Sequence, residues 1–227
     1  MIGGPTAKVG TKLHMRSKVN NTSHGKIGYY FPTAIESSLE LDLAEKLLPI
    51  AKKYLSDDTY ITNTWNYKNT FDATYKLANM DDVSPFTDYI RERAYSFLHN
   101  CGYDPSTLKF NVQVFFSEMF NGDFHQRHTH PNSVLSGILY LQAPENSAKL
   151  LVFDPRPHRK FTELPKRKSM ETVSNPEASW DRVFFTPEVG RFLMWESWLE
   201  HEVLINRSVE GRITAVFNIS IVDEPQS

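Results

Sequence analysis

The stretch Arg212–Val222 constrains the fold most. Ile213, Ala215, Phe217, Ile219 and Ile221 fall on one parity, and Arg212, Thr214, Asn218 and Ser220 on the other, with Val216 among them. A period of two is the signature of a strand with one apolar face. That apolar face has to pack against another layer. The polar face ordinarily meets water. The other possibility is that it lines a small barrel, where the arginine needs an anion to offset its burial. Upstream, Leu108, Phe110, Val112, Val114 and Phe116 alternate with Lys109, Asn111 and Gln113. Val134–Gln142 sets Leu135, Leu139 and Leu141 against Ser136, Ile138 and Tyr140. Short strands are predicted at Lys149–Phe153, Gly190–Glu196 and His201–Ile205, with turns at Asn121-Gly122 and Ser197-Trp198.

Helices precede these strands. Leu39, Leu43, Leu47, Ile50, Ala51, Tyr54 and Leu55 recur at helical spacing and predict a helix over 38–55, interrupted by Pro49. A second helix is predicted from Ser84 as N-cap, with Pro85 at its first position and Gly102 ending it. Residues 59–80 read as a strand with a loop, and Trp65, Tyr67 and Phe71 there read as core. Residues 1–28 read as an irregular lead-in. Residues 154–188, with the basic run Pro165-Lys166-Arg167-Lys168, read as a long loop able to act as a lid. Helices followed by many short strands predict a mainly β chain, a closed or sandwiched antiparallel core braced by flanking α-helices. The whole of 1–227 is expected to be one domain, with 1–107 as lead-in and supporting helices and 108–222 as the core.

Composition narrows the partners. A formal charge of −2 gives no general nucleic-acid signal. Cys101 is the single cysteine, so no intrachain disulfide forms, which suits a reducing compartment. The first residues lack the apolar core of a signal peptide, and no run of apolar residues is long enough to span a membrane. The expected location is the cytoplasm, or the host cytoplasm if the chain is viral.

The chemistry centres on His128-Thr129-His130. Two residues apart on an extended segment, both imidazoles share a side, and neutral imidazole is the commonest metal-ligating side chain. His201 can close three ligands around one metal, and Arg212 and Thr214 can then hold an anion beside it. The alternative is a pair of surface histidines in a turn before Pro131. The usual iron site has two histidines and a carboxylate. None of the eight histidines has an acidic residue two positions later. Either His130 replaces the carboxylate, or the position stays open, or Asp123, Asp154 or Glu200 swings in. The shared face of His128 and His130 favours the first. His125 reads as structural or as support for a ligand.

The order of these parts resembles the 2-oxoglutarate and Fe(II)-dependent oxygenases, with His-x-His in place of His-x-Asp, a strand containing Tyr140, a distal His201 and then Arg212. Within them it is similar to the prolyl-4-hydroxylase-like branch, and to a group of oxygenases from phages and marine bacteria with an HTHP…SGILYL-like stretch and a final R-x-T…FN strand. The resemblance covers roughly Leu108–Val222, about half the chain. It implies a double-stranded β-helix (jelly-roll, cupin-like) core and a hydroxylase using Fe(II), 2-oxoglutarate and O2. It implies metal ligation by His128 and His201, with His130 as the third ligand on the reading above. It also implies 2-oxoglutarate binding by Arg212 with Thr214 and Tyr140, and Ser136 can reach the same cavity. A peptide or protein residue such as proline is the substrate it favours. Two other functions fit the altered triad, a three-histidine iron dioxygenase that needs no 2-oxoglutarate and a non-catalytic metal- or ligand-binding module.

Overall fold

The computed structural model describes residues 33–62, 65–156 and 181–222. In chain order these form β1 (Ile35–Leu39), α1 (Leu41–Leu55), β2 (Lys68–Asn69), a 3-10 turn at Phe71–Ala73, α2 (Thr74–Ala78) and α3 (Ser84–Asn100). Then come β3 (Phe110–Met119), β4 (His125–His128), β5 (Leu135–Gln142), β6 (Leu150–Phe153), β7 (Arg182–Phe185), β8 (Arg191–Glu196), β9 (His201–Val203) and β10 (Arg212–Ile221).

The strands make two antiparallel sheets, one in the order β1-β8-β5-β10-β3-β2 and the other β4-β9-β6-β7. From β3 onward the chain crosses from one sheet to the other and back, which is the winding of a double-stranded β-helix. The alternation in β10 decides which layer meets which face. Ile213, Ala215, Phe217 and Ile219 join Val112, Val114 and Phe116 of β3 and Leu135, Leu139 and Leu141 of β5 in one core. The helices cover that face with Ala44, Leu47, Ala51 and Leu55 of α1 and Phe86, Ile90, Ala94 and Phe97 of α3. A smaller core of Ile138, Leu150, Val152, Leu193, Trp195 and Leu199 lies on the opposite face, toward the four-stranded sheet. β5 is buried along nearly its whole length because it is central in its sheet and covered on both sides.

Several local expectations are corrected. Ser38 and Leu39 belong to β1 rather than to the first helix, because β1 pairs with β8 as far as Leu39↔Arg191. Ser84 is the first helical residue, with Val83 as the cap and no side-chain cap bond. The Ser84 hydroxyl instead donates to the Asp81 carbonyl. Among the described residues of 59–80 the one named strand is the short β2, after which the chain turns helical, with Asn69 and Thr70 tied by backbone bonds to Thr62 and Phe116. The 154–188 segment, read as loop, contributes β7, which pairs with β6. The lead-in 1–28 and the basic Pro165–Lys168 run lie outside the described residues. Among the described residues, no helix is long and apolar enough to cross a membrane.

Gly137 shows how tightly the central strand is packed. A Cβ there would fall inside the Phe217 ring and against the backbone oxygen of Leu193. The ring can shift only by disturbing the helix-facing core, and the backbone oxygen cannot move without breaking the ladder. Gly137→Ala is expected to destabilise the protein by about 3 kcal/mol or more, read as a lowered midpoint in urea with an unchanged slope.

Candidate active site

The three histidines meet because of strand pairing. His128, the last residue of β4, stands directly opposite His201, the first residue of β9. Directly paired residues bring their Cβ atoms within about 5 Å, so two residues far apart in sequence become neighbours. His130 follows β4, held by its own N–H donating to the Ser197 carbonyl, 3.0 Å, while its carbonyl accepts from the Ser133 N–H. One ligand nitrogen from each of His128, His130 and His201 lies within 4.8 Å of the others. Their third member is a histidine where a carboxylate is usual. The candidate carboxylates are engaged elsewhere. Asp123 accepts from the Phe120 N–H, Asp154 is paired with Arg156 and Glu200 with Arg127.

Backbone carbonyls orient two of the rings. The Nδ1–H of His128 donates to the Gln126 carbonyl at 2.7 Å, and that of His201 to the Leu199 carbonyl at 2.9 Å. Each bond fixes the tautomer and leaves Nε2 as the free lone pair, the usual support of a metal-ligating histidine. Nε2 of His130 and Nε2 of His201 are 3.3 Å apart. Two ring nitrogens at that distance need a proton or a metal between them. Two ligands at about 2.1 Å from one ion are about 3.0 Å apart at a right angle and about 3.4 Å apart at the tetrahedral angle, so the spacing suits a shared metal.

Burial keeps the cluster neutral. It lowers His201 to about 3 and His130 to about 4, with neighbouring histidines adding to both, and it lowers His128 as well. His125 falls to about 3 for the same first reason. Neutral imidazole is the form a metal needs. The sign for folding follows. Below the ordinary histidine value of 6.5 the unfolded chain binds protons that the folded chain refuses, so stability rises with pH. The metal-free protein is expected to hold full stability above pH 6.5 and to lose it progressively down to about pH 3 to 4. Urea melts across that window check this, and a midpoint independent of pH would contradict it.

Sequence reading understated His125. Its separation of three from His128 puts it on the opposite face of a regular strand. The register instead shifts between them, since His125 pairs with Val203 and His128 with His201. The extra residue is a bulge, which returns His125 to the side of His128. Their rings are 4.1 Å apart. The Tyr67 hydroxyl lies 2.5 Å from His125 Nδ1. Burial pushes the Tyr67 phenol well above its ordinary range, so it keeps its proton and donates.

Arg212 brings a buried cation to the same cavity as the histidines. It is 1% exposed and, among the described residues, the largest fully buried side chain. Among those residues Nε and Nη2 have no partner, and Nη1 reaches only the Met119 sulfur at 3.5 Å. Its guanidinium lies 4.9 Å from the centre of the Tyr140 ring, whose hydroxyl is buried and also unpartnered. Thr214, on the same face, shares a 2.7 Å bond with Ser117. Ser136 stands farther along the wall, bonded to Ser197 at 2.6 Å and donating to Asn218 at 2.9 Å. A buried cation with idle donors is costly until an anion meets it.

One cavity of about 480 Å³ is lined by His125, His128, His130, His201, Arg212, Thr214, Ser136 and Asn218 among others, whereas Tyr140 is not part of its lining and touches it only through Arg212. Trp65, Tyr67, Phe71, Tyr75 and Phe115 form its aromatic side. Trp65 packs at 4.8 Å on Phe71 and 4.9 Å on His125. The expectation that Trp65, Tyr67 and Phe71 are simply core is therefore corrected, since they also wall the cavity. Phe115 and Ser117 were findable, because they continue the parity of Lys109, Asn111 and Gln113 on β3.

The profile of the family described as "Putative 2OG-Fe(II) oxygenase" matches residues 114–218, which hold the three histidines and Arg212. The matched segment is that of a 2-oxoglutarate/Fe(II) oxygenase. The chain is an enzyme, and its cofactor and co-substrate are Fe(II) and 2-oxoglutarate. Among curated protein sequences, none matches the chain. Solved structures share the oxygenase's fold at low identity. A prolyl-4-hydroxylase from Pseudomonas putida aligns with a TM-score of 0.58 and 12% identity, over 83% of this chain and 92% of the other. The epimerase SnoN from nogalamycin biosynthesis, described as non-heme and alpha-ketoglutarate-dependent, aligns at 0.56 and 12%, over 82% and 78%. An oxidoreductase of the 2OG-Fe(II) oxygenase family from Burkholderia pseudomallei aligns at 0.51 and 13%, over 76% and 77%. The oxygenase's own residues suit both groups, with neutral nitrogens for a divalent metal and idle guanidinium donors for a carboxylate.

Proposed function

We propose that this oxygenase hydroxylates a peptide or protein residue, proline foremost. Iron is held by His128, His130 and His201, and 2-oxoglutarate by Arg212 with Thr214, Tyr140 and Ser136. The observation that carries the reading is one cavity with a three-nitrogen cluster at one place and an unsatisfied, fully buried arginine at another. The likeness to a prolyl-4-hydroxylase supports the substrate class. The aromatic side of the cavity suits a prolyl ring, whose apolar face packs against aromatic rings. Gln113, Asn132 and Asn218 offer amides to the backbone of a peptide. The reading treats 1–227 as one domain, with 108–222 as the catalytic core.

When bound, Fe(II) and 2-oxoglutarate supply the oxidation, in which O2 and 2-oxoglutarate are consumed, succinate and CO2 leave, and a C–H bond becomes C–OH. The chain supplies geometry and charge. His128 and His201 present Nε2 because their Nδ1–H groups are tied to carbonyls. Arg212 would hold the far carboxylate of the co-substrate on its idle Nε and Nη2 donors, and Thr214 would add a hydroxyl. Tyr140 backs the guanidinium with its ring. Ser136 fixes Asn218 at the other end of the wall. Trp65, Phe71 and Phe115 exclude water from the reacting carbon.

The test is a set of short prolyl peptides and matching alanyl peptides, incubated with Fe(II), 2-oxoglutarate and air. Prolyl peptides are expected to gain one oxygen by mass and to raise succinate formation above the rate without peptide. Equal succinate with and without every prolyl peptide would remove proline from the reading.

A further inference from the structure

Trp195 on β8 carries a feature that neither metal ligation nor the Arg212 grip explains. It is 2% exposed, and among the described residues its Nε1–H has no acceptor. A buried indole N–H usually finds a partner, and one left unpaired carries its full desolvation penalty. The ring stands edge-on to the His201 imidazole, with centroids 4.9 Å apart and planes at 70°. The side chain lines the same cavity as Arg212.

The register shows how far apart the idle donors start. Trp195 pairs with Ser136 on β5, and Ser136 with Asn218 on β10. Asn218 lies six positions (218 − 212) beyond Arg212 on the same face of that strand, roughly 20 Å at about 3.3 Å per residue. Arg212 Nε and Nη2, with Tyr140 behind them, therefore stand at one end of the wall, and the Trp195 ring stands toward the other, against His201. Both side chains are long and span part of that interval. A ligand that satisfies both ends needs an acceptor at each. 2-Oxoglutarate has a carboxylate at each end, and the keto group adjoins the one that belongs near the histidines.

We infer that Trp195 is a positioning residue whose Nε1–H donates to the keto-side carboxylate, so that 2-oxoglutarate is gripped at both ends. The inference rests on the co-substrate site proposed above. It makes Trp195 a determinant of specificity, since the donor recognises the carboxylate that distinguishes a 2-oxo acid from a simple keto acid carrying only the distal carboxylate.

The test uses the full chain loaded with Zn(II), so that no turnover intervenes. Calorimetry compares 2-oxoglutarate with 4-oxopentanoate, which keeps the ketone and distal carboxylate and lacks the keto-side one. Trp195→Phe is expected to weaken 2-oxoglutarate about tenfold and to leave 4-oxopentanoate unchanged, the loss of one bond to a charged acceptor. Arg212→Lys is expected to weaken both ligands. If Trp195→Phe binds 2-oxoglutarate as wild type does, or loses both ligands alike, while Arg212→Lys weakens both, the Trp195 assignment alone fails. If neither variant changes 2-oxoglutarate binding, the whole co-substrate site is wrongly placed. Should Trp195→Phe not fold, the indole N–H resonance of Trp195 in the wild-type protein decides, assigned by elimination through Trp65→Phe, Trp180→Phe and Trp198→Phe. It is expected to move downfield with 2-oxoglutarate and not with 4-oxopentanoate, and no movement with 2-oxoglutarate overturns the inference.

Discussion

Arg212→Met is expected to raise the stability of the ligand-free protein and to abolish 2-oxoglutarate binding. Among the described residues the guanidinium is fully buried with two idle nitrogens and no ion-pair partner. Methionine fills similar space without charge, and replacing buried charges by apolar side chains of like volume often stabilises by about 1–4 kcal/mol. Without ligand, the unfolding midpoint should therefore rise. With 2-oxoglutarate, the variant should show no further rise, whereas wild type gains stability by mass action. Affinity should fall by about 100-fold or more, the usual scale for removing one member of a buried charge pair. Arg212→Lys should fall between the two, because it keeps the charge and loses the planar fork. A less stable Arg212→Met protein that still binds 2-oxoglutarate would mean the arginine is structural.

The second large effect is at His201. His201→Ala is expected to lose metal affinity by more than about 100-fold, beyond the loss usual for groups that merely support a ligand. Succinate formation should vanish with it. Because His201 is buried against Trp195, alanine also leaves a void, so a drop in stability alone decides nothing. His201→Gln keeps most of the volume and removes the imidazole. It should fold near wild-type stability, show no thermal shift on adding Fe(II), and make no succinate. Succinate at the wild-type rate from either variant would place the metal elsewhere.

Much of this was legible in the sequence because period-two patterning is robust to tertiary context. The two faces of β10 are as the alternation of Ile213 to Ile219 requires, and the polar face holding Arg212 turns inward rather than to water. The meeting of His128 and His130 with His201 followed from shared parity and from the order of motifs. What was not legible depends on pairing partners. His125 joins the cluster only through a bulge opposite Val203 and His201, and a bulge is invisible without its partner strand. Tyr67 and Trp65 alternate with polar residues only briefly, and their position is set by the Thr62–Asn69 bridge and by contacts with His125. Trp195 lies inside the strand predicted at Gly190–Glu196, and nothing in the pattern marks it out. Its free N–H is evident only when every neighbour is placed.

The most direct test is an anaerobic Fe(II) titration of the full chain with and without 2-oxoglutarate, followed by visible absorption. A metal-to-ligand charge-transfer band is expected only when both are present, in wild type and not in His201→Gln or Arg212→Met. Iron binding to wild type with no band at saturating 2-oxoglutarate would contradict the account, because the cluster and the arginine would then not serve one co-substrate.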